Sequence, residues 1–292
     1  MRQLFRAKTK SFLDARRRRW QFDAFAWLLR GCGGFPRFSD TALVLPIEEH
    51  FPDRDLKGHA AAAALFRRVR DHAGMADWPC IAEPVPTADL VTPQSGDARA
   101  AAGRIRIIHY PPGLQPEALV AHFAHELARY LVETFEQTPP AGTELYEPAV
   151  DLATVFLGFG VFMANTAARP IDGRPRWDLN EGELVHALAL FCHLRKWPEE
   201  SVTPHLDAHV RKYLRLALRP GAVRVRVPAS AIGVPRDSRR CQRVHAAHAT
   251  RLDCGHAPPS RTDSPAAVHD VRDAGRGRRP HRFLGPASPW RE

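Results

Sequence analysis

Apolar residues recur along the chain at two spacings, and these spacings assign most of its elements. Phe12, Leu13, Trp20, Phe22, Phe25, Ala26 and Leu29 follow a helical repeat, since positions three or four apart share one face of a helix. The segment 4–30 therefore predicts a helix that stops at Arg30, before Gly31, Gly33 and Gly34. Residues 57–74, KGHAAAAALFRRVRDHAG, combine strong helix formers with a closing glycine and predict a second. Pro116 suits a first helical position, where the missing N–H costs nothing, and the pattern behind it runs to about Thr134. A strongly apolar helix is expected over Glu147 to Thr166, another over Asn180 to Lys196 behind a cap at Asn180, and a last over Ser201 to Leu218. Short β-rich runs at Thr41 to Leu45, Trp78 to Glu83 and Gly103 to His109 predict strands, and the polar PTADLVTPQSGDARA reads as a loop or hairpin between the last two.

The expected architecture is α+β: a small sheet with several helices in one domain over residues 1–218. Beyond Arg219 the chain is dominated by Arg, Pro, Ala, His and Gly with no sustained period, so 219–292 reads as a basic, disordered tail. The abrupt change, in a chain rich in alanine and arginine, also fits translation of the tail in a shifted reading frame.

Composition narrows the function classes. With 292 residues and 44% hydrophobic content, the chain is long enough to bury a substantial core. Its longest apolar run, Leu152 to Ala168, is interrupted by Asn165 and follows Asp151, which predicts a buried helix and no membrane span. The basic N-terminus lacks the apolar stretch of a secretory signal, so a cytoplasmic protein is expected. Five scattered cysteines are not the pattern of a disulfide-stapled domain and imply reduced thiols. The net charge of +10 sits largely in the Arg16 to Arg19 run and in the tail. Without interleaved aromatics, that run reads as a solvated helix face before it reads as a nucleic-acid surface.

Candidate chemistry lies at residues 122–130, HFAHELARY, inside the helix that Pro116 opens. His125 and Glu126 begin the pattern H-E-x-x-H, in which two histidines one turn apart hold zinc and the glutamate activates the metal-bound water. The fifth position, where the second histidine would stand, holds Arg129. Downstream, EPAVD places Glu147 and Asp151 one turn apart on the following helix. A glutamate ligand and an aspartate that steadies a zinc-bound histidine stand in this way in thermolysin-like sites.

With HELARYL at 125–131, EPAVDLATVFLGFG at 147–160 and, more loosely, LPIEEHFP at 45–52, the chain resembles bacterial zincin-like proteins of the gluzincin type over residues 20–218. The resemblance implies a zincin-like fold and a zinc ion, with His125 and Glu147 as ligands. It further implies Glu126 as general base and Asp151 as the partner behind a ligand or a substitute carboxylate. An active member would cleave a peptide or protein through a zinc-bound water.

Arg129 departs from that pattern. A guanidinium stays protonated and offers no lone pair, so it cannot ligate zinc and it repels the ion. It is expected instead to pair bidentately with Glu147 or Asp151. His122 opens an alternative, since it shares a helix face with His125 and could join it on a metal with Glu147 or Asp151. The reading is a metallopeptidase-like protein with a degenerate site, weak or inactive as a hydrolase, its zinc weakly bound or absent. The alternatives are a non-catalytic binding or structural protein, in which a His, Glu and Arg network fills the former cleft, and a basic protein that contacts nucleic acid through its termini. Other motifs read as structure: His186 and His193, seven apart on one helix face, as partly buried histidines beside Leu190, Gly158 and Gly160 as sites of close helix packing, Cys32 as a structural cysteine at a turn. Cys241, His245, His248, Cys254 and His256 match no standard zinc spacing.

Overall fold

The computed structural model describes residues 13–53, 55–85, 105–170 and 176–218. Helix α1 (Ala15–Gly31) starts where the Asp14 carboxylate accepts from the N–H groups of Arg16 and Arg17, which satisfies amides a helix start would leave unpaired. A short α2 (Gly34–Phe38) and α3 (Gly58–His72) follow, then strands β1 (Cys80–Pro84) and β2 (Arg106–Tyr110). Next come α4 (Pro116–Glu133), α5 (Tyr146–Thr154) and α6 (Gly160–Thr166), the last two joined through a wide helical turn over Val155–Phe159. The described chain closes with α7 (Glu181–Arg195), α8 (Glu199–Val202) and α9 (Ala208–Ala217). The result is α+β, mostly helical with one small sheet.

Helix α4 is the central element. It packs against α3 on one side and against α5 and α6 on the other, while α7 lies between α6 and α9. Its apolar face, with Leu119, Val120, Phe123, Ala124, Leu127 and Ala128 buried, joins a single continuous core. Thr143–Thr166 is apolar and long enough to cross a membrane by composition, but its apolar window is wholly buried among the other helices. It serves as a core helix, as its sequence suggests.

The structure corrects several expectations. Strands β1 and β2 pair in parallel, Ile81 opposite Ile107, so no tight hairpin joins them. The connecting residues 86–104 lie outside the described residues. Thr41–Leu45 is not a strand. Its Leu43 and Val44 are buried, but the Val44 N–H donates to the Gly158 carbonyl at 2.9 Å instead of to a neighbouring strand. Apolarity there reflects burial under a crossing segment.

That crossing also interrupts the single helix expected over 147–166. Gly158 takes φ +99°, and a Cβ at this position would stand 2.1 Å from the Ala42 carbonyl oxygen. Only glycine allows the close pass. Gly160 likewise lets α7 approach, since a Cβ there would meet Leu188 at 2.9 Å. The helix expected over 201–218 divides at Thr203–His205 and restarts at α9, with extended backbone at Leu206 and the Asp207 N–H donated to Asn165 Oδ1. The helix expected from residue 4 begins at Ala15, with residues 1–12 outside the described residues. The tail 219–292, with its expected disorder and its cysteines and histidines, lies outside them too.

Candidate functional site

Helical spacing sets His122, His125, Glu126 and Arg129 on successive turns of α4, and Glu147 and Asp151 one turn apart on α5 beside it. The packing of α4 on α5 brings five of these six side chains into one network. The Arg129 guanidinium holds Glu147 bidentately, Nη1 to Oε1 at 2.7 Å and Nη2 to Oε2 at 2.6 Å. Its Nε lies 3.8 Å from Glu126 Oε1. His125 sits between two carboxylates, Nε2 at 3.1 Å from Asp151 Oδ1 and Nδ1 at 3.6 Å from Glu126 Oε1. Asp151 is wholly buried, and its Oδ2 accepts the Leu179 N–H at 2.7 Å.

These neighbours decide the charges. Burial works against a charged His125, but Asp151 and Glu126 overcome it and lift its pKa from 6.5 to about 9. His125 is therefore an imidazolium at neutral pH. Burial would raise Glu126, yet His125, His122 and Arg129 together hold it down at about 2. The hydrogen bonds from Arg129 keep Glu147 below the usual carboxylate range, and Glu147 makes Arg129 hold its proton still more firmly. Asp178 is pushed up, by burial first and then by Asp151 and Glu147.

His122 stands apart from the network. Its Nε2 donates to the His109 carbonyl at 2.8 Å, which ties α4 to the end of β2, and burial lowers its pKa despite Glu126 nearby.

This donor set does not fit a zinc ion. A metal ligand must present a lone pair, and the Arg129 guanidinium, one turn from His125 where a second ligand would stand, presents none and adds a positive charge. Both oxygens of Glu147 are taken by Arg129 and Asp151 Oδ2 by the Leu179 N–H, while Asp151 Oδ1 faces His125 Nε2 at 3.1 Å with no hydrogen bond of its own, and His122 Nε2 is turned to the His109 carbonyl. Among the described residues no group of three or more His, Cys, Asp or Glu side chains is placed to hold a metal. The pairing of Arg129 with Glu147 and the approach of Asp151 to His125 both follow the spacing read in the sequence. The alternative site through His122 does not assemble.

Two participants carry no signal in the helical pattern. Trp177 lies against His125 with ring centroids 5.1 Å apart, and the Leu179 N–H caps Asp151. Both come from the short stretch before α7, where only the Asn180 cap is legible. That cap is present as a full capping box with Glu183.

A second buried polar centre lies between α1 and α7. His186 Nδ1 is 2.6 Å from Gln21 Oε1, and Gln21 Nε2 donates to the Glu183 carbonyl at 2.9 Å. Gln21 is wholly buried. The sequence marks its histidine as one packed beside Leu190 and does not mark Gln21 as the partner. His193, one heptad on from His186, is exposed. In the Arg16 to Arg19 run, Arg17 pairs with the buried Glu183 at 2.9 Å and Arg19 reaches Asp23 at 3.8 Å, so part of that charge is spent within the fold. No protein-family model matches the chain, and neither the curated proteins nor the solved structures compared with it include a match.

Proposed function

We propose that this chain is a zincin-like, metallopeptidase-like protein whose zinc site has been rebuilt as an internal ion-pair network, leaving a non-catalytic binding or structural role. The observation that carries this reading is the Arg129 guanidinium gripping both oxygens of Glu147. A cation supplied by the chain stands where the resemblance puts a cation supplied by solution. In support of the scaffold, the helix bearing His125 and Glu126 follows a strand, and the next helix presents a glutamate and an aspartate one turn apart toward it. The pairing of Arg129 with Glu147 supports the loss of hydrolysis: with a guanidinium at the second ligand position and both Glu147 oxygens held by it, two of the three expected zinc ligands are withdrawn from Glu126.

Metal titration of Arg129→His tests the reading. The wild-type chain should take up no stoichiometric zinc under zinc-replete dialysis. Arg129→His should bind about one zinc per chain, because it supplies the missing lone pair and frees Glu147. That gain should vanish in Arg129→His combined with Glu147→Ala. Stoichiometric zinc on the wild-type chain that is lost with Glu147→Ala would overturn the metal-free assignment. Absence of zinc on a folded Arg129→His chain would overturn the zincin-like one.

A further inference from the structure

Its two carboxylate neighbours do not by themselves aim the His125 ring. Nε2 stands 3.1 Å from Asp151 Oδ1, yet that oxygen has no hydrogen bond, and Nδ1 is 3.6 Å from Glu126 Oε1, beyond hydrogen-bond reach. Contacts of this kind attract the ring without fixing its angle. A further neighbour, Trp177, lies against it, with ring centroids 5.1 Å apart and planes tilted by 41°.

Trp177 is itself held from α6. Its indole Nε1–H donates to Thr166 Oγ1 at 3.1 Å, and the Thr166 hydroxyl donates in turn to the Phe162 carbonyl at 2.7 Å. Chemistry forces these directions: an indole nitrogen can only donate, and a hydroxyl whose proton goes to a carbonyl offers that donor a lone pair. Thr166 is wholly buried and Trp177 nearly so. An indole that swung away from Thr166 would leave its N–H without a partner in the core. Two residues on, the Leu179 N–H holds Asp151 Oδ2 at 2.7 Å. The stretch 177–179 therefore touches both members of the His125–Asp151 contact, one through a ring and the other through an amide.

We infer that Trp177 is a positioning residue of this network, anchored by Thr166 so that its indole keeps the His125 ring turned toward Asp151. The inference rests on the metal-free reading of the site between α4 and α5, and it adds α6 as the element that sets the histidine. Trp177 contributes no chemistry of its own and acts through His125.

Solvent exchange of the His125 ring N–H, followed in ring-nitrogen spectra of the full chain at neutral pH, tests the assignment. Thr166→Val removes the hydroxyl at nearly constant volume, so His125 exchange should rise by on the order of tenfold, with a parallel rise at the Trp177 indole N–H. Thr166→Ser keeps the hydroxyl and should restore both rates. Trp177→Leu should speed His125 exchange at least as much as Thr166→Val. His186, in the separate centre between α1 and α7, is the internal reference and should not change. His125 exchange at the wild-type rate in both Thr166→Val and Trp177→Leu would overturn the inference, as would a Thr166→Ser chain no better protected than Thr166→Val. If Thr166→Val does not fold, Trp177→Phe decides, since it keeps an aromatic ring and loses the anchoring N–H: faster His125 exchange supports the inference, and an unchanged rate overturns it. Stoichiometric zinc on the wild-type chain would instead overturn the metal-free reading underneath, and metal analysis of the same sample tells that failure from this one.

Discussion

His125 and His186 are both nearly withdrawn from solvent, at 8% and 2% exposed, yet their surroundings drive them in opposite directions. His125 lies between two carboxylates and is lifted to about 9, whereas His186 faces an amide oxygen and is pushed down to about 4, chiefly by burial and then by Arg18. Burial alone always favours the neutral ring. The difference is made by the partner. Gln21 offers a dipole, and the nearby Glu183 spends its carboxylate on the Asn180 cap and on Arg17. The centre between α1 and α7 is thus built of neutral groups, with His186 Nε2 lacking any hydrogen-bond partner. The centre between α4 and α5 sets two cationic side chains, His125 and Arg129, among three carboxyl groups, with Asp151 Oδ1 likewise lacking a hydrogen bond.

Removing one partner from each centre should separate them most widely. Asp151→Ala leaves the His125 imidazolium with Glu126 alone, 3.6 Å away, and strands the Leu179 N–H, and removing one partner of a buried ion pair costs about 3–5 kcal/mol. Gln21→Ala leaves the His186 Nδ1–H without a partner and takes a second donor from the Glu183 carbonyl, at about 1–3 kcal/mol. Urea denaturation of both variants reads the ordering. Equal losses would mean that His125 is not charged in the folded chain.

The pH dependence of stability sharpens the same contrast. The folded pKa of His125 is raised above 6.5, so its contribution is fully present below 6.5 and is lost as pH rises through about 9. By linkage that loss amounts to up to about 3 kcal/mol. His186 is depressed, so the folded chain refuses a proton that the unfolded chain accepts, and stability falls as pH drops from 6.5 toward about 4. Denaturation midpoints across this range should therefore decline on both sides of neutrality. His125→Gln should remove the alkaline decline and leave the acid one in place.

Much of the charged centre was legible before the structure because its geometry is local. His125 and Arg129 are one helical turn apart, as are Glu147 and Asp151, and only the packing of two successive helices was needed to join them. The neutral centre was not legible, since Gln21 and His186 are 165 residues apart and a single glutamine carries no period. The misreadings of Thr41–Leu45 and of the continuous helix through Gly158 have one shared cause. Apolar, β-rich composition reports burial, and it does not say whether the backbone amides go to a strand or, as at Val44, to a helical carbonyl. Nor does composition tell a parallel strand pair from a hairpin when the connection is polar.

Within the charged centre, the Arg129–Glu147 pair should contribute least to stability. Glu147 keeps 43% of its side chain exposed, so solvent screens the pair even though the fork geometry is good. Glu147→Gln should cost about 1 kcal/mol or less, and a double-mutant cycle with Arg129→Met should return a coupling of about the same size. A coupling of several kcal/mol would make this pair a structural clamp like His125–Asp151. A small one means that the fold stands with or without the cation at position 129. In that case Arg129→His should fold normally, and any zinc it gains measures how far the remaining donors converge once the guanidinium is gone.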